Sequence, residues 1–116
     1  MLDWNKVNKI RCHNSKETME HLIIKAMTAK ILIDSKYIVY TEHEVKRGNK
    51  TRVADVYAFK GKDRIIVEIE TKPTKKHNKE LVEFYKDEGD LIIIDLRKIS
   101  LDILKMEEEI REILPV

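Results

Sequence analysis

Between Tyr37 and Thr71 the chain carries three strand-like runs joined by turns too short to cross over a sheet. The runs are Tyr37–Val45, Thr51–Phe59 and Arg64 to about Thr71, all rich in β-branched and aromatic residues. Lys46-Arg47-Gly48-Asn49-Lys50 and Gly61-Lys62-Asp63 separate them. Such turns permit only antiparallel pairing, because a parallel connection needs a dozen or so residues. An antiparallel meander is therefore expected at the centre of the chain.

The flanks read as helices and one more strand. Asn14, with Glu17 three residues on, has the spacing of a capping box. A first helix is expected from Ser15 to about Ser35, with Met19, Leu22, Ile23, Ala26, Met27 and Ile33 on its apolar side. Pro73 ends the third strand, Lys75 to Asn78 is polar, and helical spacing runs from Lys79 to Lys86. Asp87-Glu88-Gly89-Asp90 stops that helix. Leu91 to Leu96 is a strand expected to be buried on both faces and parallel to the third. A last helix opens at Ser100 or Leu101, with Ile103, Leu104, Met106, Ile110, Ile113 and Leu114 inward. The expectation is an α/β domain over residues 1–116, ordered α-β-β-β-α-β-α, with a mixed four-stranded sheet flanked by helices.

Composition removes several functions. The single Cys12 excludes an internal disulfide framework and a cysteine-based metal site, and fits a reducing interior. No apolar run reaches signal-peptide or membrane-span length, so a cytoplasmic protein with no membrane partner is expected. No glycine-rich phosphate loop, Ser/His/Asp order or HExxH pattern is present. Charged residues make up 38% of the chain, with no Gln, a bias like that of heat-adapted proteins. Net charge is only +2, so any polyanion partner must be recognised by local clusters.

One acidic pair stands out. Asp55 sits inside the apolar run Val53-Ala54-Asp55-Val56-Tyr57, where Asp is normally depleted. On the next strand Glu68, Glu70 and Lys72 share one face, and Ile65, Val67 and Ile69 share the other. The turn at Gly61 can bring Asp55 beside Glu68. Two carboxylates held together raise a pKa or attract a cation. A hard ion such as Mg²⁺ suits them, with the Ile69 carbonyl as a further oxygen. An ion of this kind activates water and neutralises charge at a phosphodiester. The same residues also fit a solvated strand face, with Asp55 paired to Arg52 or Arg64.

The stretch Arg-Val-Ala-Asp-Val-Tyr, followed by Ile-Ile-Val-Glu-Ile-Glu-Thr-Lys, resembles the PD-(D/E)XK nuclease superfamily. It looks like small archaeal-type members, among them restriction-like and Holliday-junction-resolving enzymes. The resemblance runs from Glu17 to the last helix. It implies a restriction-endonuclease-like fold, a Mg- or Mn-dependent deoxyribonuclease, DNA as partner and, by analogy, a homodimer. It implies metal positions at Asp55 and Glu68, and an assisting carboxylate on the first helix, Glu20, with Glu17 as the second choice. The family pattern places Lys two residues after the second acid, and this chain has Glu70 there. Lys72, one step along the same face, is expected to supply the amine, with Lys75 or Lys76 as further candidates. Glu70 itself is a further ligand candidate, or else the module binds nucleic acid without cutting it.

Weaker signals surround this segment. Lys72, Lys75, Lys76 and Lys79 form one basic cluster, and Lys46, Arg47, Lys50 and Arg52 form another. Each is a candidate phosphate contact or an ordinary solvated surface. His21 is placed to line the site, and Glu42 to approach it.

Overall fold

The computed structural model describes residues 3–116. Among them the order is α1 (Met19–Asp34), β1 (Ile38–Arg47), β2 (Lys50–Lys60), β3 (Asp63–Glu70), α2 (Lys75–Tyr85), β4 (Asp90–Asp95) and α3 (Ile103–Ile113), with a short 3₁₀ turn at Leu96–Lys98. The sheet order is β1-β2-β3-β4. The first two pairings are antiparallel, and β3 and β4 run parallel. This is the α/β architecture expected, with its mixed four-stranded sheet. No helix among the described residues is long and apolar enough to cross a membrane.

Helices cover both faces. On one face α1 and α3 bury Ile24, Ile31, Leu32, Met106 and Ile110 against Val39, Val56, Ala58, Ile65, Val67 and Ile69. On the other, α2 buries Leu81, Phe84 and Tyr85 against Val45, Ala54 and Ile66. β4 contributes to both faces, as its apolar run implied, with Ile94 on the first and Leu91 and Ile93 on the second. Its position at the sheet edge leaves most of it only half-buried. The opposite edge is shielded by the lead-in. Asn8 exchanges hydrogen bonds with Val39 at 2.7 and 2.9 Å, and Thr41 Oγ1 donates to Lys9 O at 2.7 Å. Covering an edge in this way blocks pairing with another chain.

Helix starts differ from the sequence expectation. α1 begins at Met19, capped by the Thr18 side chain, not at Ser15 after Asn14. Asn14 instead caps a local turn through Lys16 N–H, and Glu17 reaches back to His13 N–H. α2 starts at Lys75, four residues earlier than the apolar spacing suggests, because Thr74 Oγ1 accepts from His77 N–H. α3 starts at Ile103, where Asp102 accepts from Leu104 and Lys105 N–H.

The buried stripe of α1 also differs. Ile24, Lys25, Thr28, Ala29, Ile31 and Leu32 are buried, whereas Met19 is 66% exposed. Apolar residues surround this helix, so periodicity alone selects no unique face. In α3, Met106, Ile110 and Leu114 are buried, while Ile103, Leu104 and Ile113 are exposed.

Candidate active site

The site grows from a distortion shared by two strands. Val39 and Val45 are an even number of residues apart, yet they pack on opposite faces of the sheet. The same holds for Ala54 against Val56 and Ala58. Regular alternation forbids both, so each strand changes face between those points. On β1 the change falls at Glu42, whose φ is 50°, a left-handed conformation rare for such a residue. Thr41 pairs with Val56 and His43 with Ala54, so Glu42 lies opposite Asp55. The twist releases Asp55 from the strand ladder. Its Oδ2 accepts the Ile69 N–H at 2.7 Å, and its Oδ1 lies 3.4 Å from His21 Nε2.

A cleft of about 400 Å³ collects these groups. Asp55, Glu68, Ile69 and Glu70 line it from β2 and β3, and Glu17 and His21 from the helix side. Val56 pairs with Val67, so one step on Asp55 lies beside Glu68. The two acids invoked from sequence therefore share one cleft. The Asp55 partners are the Ile69 N–H and His21, not Arg52 or Arg64.

Glu68 is 7% exposed, and its Oε1 accepts from the Tyr85 hydroxyl at 2.7 Å. Burial, opposed by that hydrogen bond and reinforced by the charges of Asp55 and Glu70, pushes its carboxyl up to about 8. His21 is held by Glu17 through Nδ1 and by Asp55 through Nε2. The hydrogen bond to Asp55 prevails over burial and raises its imidazole to about 9.

The carboxylate that reaches the cleft is Glu17, which precedes α1, whereas Glu20, on the first turn of α1, is exposed and outside it. Glu17 turns inward because it sits just before the Thr18 cap. Lys25, completely buried, holds it at 2.8 and 3.1 Å and also reaches Glu42 at 3.4 Å. Burial raises the Glu17 carboxyl, but hydrogen bonds from Lys25, the His13 N–H and His21 outweigh it, so the net shift is downward. Glu42 itself is occupied by Lys25 and His13 and does not line the cleft. Lys72 and Lys75 are exposed outside the cleft. Glu70 faces His77 at 3.0 Å. Sequence reasoning missed Lys16 and His13, which line the cleft from the lead-in. No sequence signal marked this fold-back, since the turn through Asn14 reads as a helix cap.

The donors suit a hard cation. Asp55 and Glu68 offer carboxylate oxygens, and Glu68, raised chiefly by burial, would give up its proton on binding a cation. Among the described residues no three His, Cys, Asp or Glu side chains form a group able to hold a metal ion. An ion here would rest on the two acids and a backbone oxygen of Ile69, with water completing its shell. That arrangement is usual for Mg²⁺.

The two shifts set a pH dependence in metal-free buffer. Folded Glu68 keeps its proton up to about 8, while the unfolded side chain releases it near 4.5. Stability therefore falls as pH rises between those values and levels off above them. His21 acts in the same direction: its contribution is complete below 6.5 and is lost as pH rises through about 9. Chemical denaturation across this range is expected to show Glu68→Gln flattening the lower part of the decline. An unchanged slope in that variant would show that Glu68 ionises normally.

No family model matches the chain, and no curated protein or solved structure matches it either.

Proposed function

We propose that this protein is a metal-dependent nuclease that hydrolyses DNA phosphodiester bonds, built on a restriction-endonuclease-like fold and working in the cytoplasm. One observation carries the reading: a buried, charge-strained Glu68 sits beside Asp55 in an open cleft. Strongly perturbed acids in a cleft are a common mark of a working site. The α-β-β-β-α-β-α order and the resemblance of the Asp55 and Glu68 segments support it.

In this reading Asp55 and Glu68 hold one Mg²⁺ or Mn²⁺, with Ile69 adding a backbone oxygen. The ion, when bound, supplies a more acidic water and charge neutralisation at the phosphate. Asp55 is oriented for its role by the Ile69 N–H, and Tyr85 fixes the Glu68 carboxyl. His21 steadies Asp55 from the helix side and brings positive charge to the cleft. Lys16, the lysine that lines the cleft, places an amine at its mouth.

A competing reading is a binding module on the same fold. It is favoured by Glu70, which stands where the family has its lysine and faces His77. Incubation of linear, branched and single-stranded DNA with Mg²⁺ or Mn²⁺ separates the two. Cleavage that EDTA abolishes is expected. Binding without cleavage under every metal condition would reject the nuclease reading.

A further inference from the structure

Parts of the two basic clusters that are separate in sequence meet in one groove, which Lys46, Lys72 and Lys75 do not line. It holds about 860 Å³ between the tip of the β1–β2 hairpin and α2. Arg47, Lys50 and Arg52 line it from the hairpin, and Lys76 and Lys79 from the helix. Only two acids, Glu80 and Glu83, share its walls.

What sets these cations apart is that they converge on one concave surface without carboxylate partners. Elsewhere Lys25, Lys30, Lys86, Arg97 and Arg111 all find carboxylates within 3.2 Å. Lys50, Arg52, Lys76 and Lys79 make no ion pair among the described residues. Arg47 alone is committed, to Phe84 O at 3.0 Å and Asp87 at 3.1 Å. Four uncompensated cations around a concave surface form an electrostatic site for a polyanion.

Size and floor narrow the class. The volume lies within the range of pockets for single small ligands, roughly 300–1,000 Å³, too small for the body of a duplex. Val82 and Phe84 give the groove an apolar floor, and the Arg52 guanidinium lies 5.9 Å above the Phe84 ring. Cationic walls that can follow a backbone match the electrostatic part of the way single strands are held, and Val82, 57% exposed, offers an apolar contact. Arg52 also joins the groove to the acidic cleft. Its neighbour Val53 lines that cleft, and its charge is felt by Glu68.

We infer that the groove between the β1–β2 hairpin and α2 binds a single-stranded segment of DNA and leads it past Arg52 towards Asp55 and Glu68. As a statement about substrate this rests on the nuclease reading. As a statement about binding it is tested without that reading.

The test is fluorescence anisotropy with a labelled oligothymidine in EDTA, over about 50–200 mM salt. The variant Lys50→Gln/Lys76→Gln/Lys79→Gln removes three exposed cations. It is expected to bind at least about tenfold more weakly at low salt. Its salt slope should be shallower by about 2, at about 0.7 per lost phosphate contact on a single strand. A charge-matched control, Lys62→Gln/Lys98→Gln/Lys105→Gln, is expected to bind as the unaltered protein does. Equal loss in both variants, or none in either, overturns the inference. So does duplex binding as tight as single-strand binding, or capture of oligouridine without oligothymidine.

The outcomes separate from those of the nuclease reading. A strand that binds in the groove but is never cut sinks the enzyme and leaves the groove. Cutting that the groove variant performs with undiminished rate and affinity sinks the groove and leaves the enzyme.

Discussion

Asp55→Asn is expected to lose metal-dependent cleavage by at least about a hundredfold while remaining folded. That is the scale of removing one preorganised electrostatic contact from a reacting centre. The substitution keeps the side chain's shape but removes its charge. It also weakens the hold on His21, whose imidazole sits 3.4 Å away. The imidazole should therefore titrate lower in the variant, which NMR of the ring protons can follow independently of turnover. Glu68→Gln should lose cleavage on the same scale, yet gain stability near pH 8, because it removes a buried acid that resists ionisation. A variant pair that keeps full activity would remove both residues from the chemistry. Loss of cleavage in a Glu68→Gln variant that is no less stable would place the acid in the chemistry, since the fold is then not the cause of the loss.

Lys25→Met is expected to destabilise the fold by about 3–5 kcal/mol, the usual cost of removing one partner from a buried ion pair. Lys25 has no exposed surface, and its ammonium lies against Glu17 and Glu42. Methionine fills similar volume but leaves two acids facing one another with little water. Adding Glu17→Gln and Glu42→Gln should recover most of the loss, because the remaining groups are then neutral. Urea denaturation of the single and triple variants reads both effects. A single variant within about 1 kcal/mol of the unaltered protein would mean that water reaches the cluster and screens it.

The chain disclosed its strands more fully than its helix faces. The meander was legible because short Gly-containing turns leave antiparallel pairing as the only option. The pairing of β3 with β4 followed from the intervening helix. α1 was misplaced at its start because Asn14 and Glu17 have capping-box spacing, whereas tertiary contacts draw the Glu17 carboxylate to His21 and Lys25. The same contacts explain why Glu17 rather than Glu20 reaches the cleft. Asp55 and Glu68 were recognisable as acids in apolar strands. The Glu42 distortion was not, because nothing local requires a left-handed residue there. The meeting of Lys50 and Arg52 with Lys76 and Lys79 depends on how α2 lies across the sheet, which no spacing encodes.

The change of face at Glu42 and Asp55 has a mechanical consequence. Below it the hairpin belongs to the layer of α1 and α3, and above it to the layer of α2. One wring of the ribbon therefore both aims an acid into the cleft and tilts the cationic hairpin tip over α2. Straightening position 42 would misdirect the two together, so the acidic cleft and the cationic groove hang on a single backbone hinge.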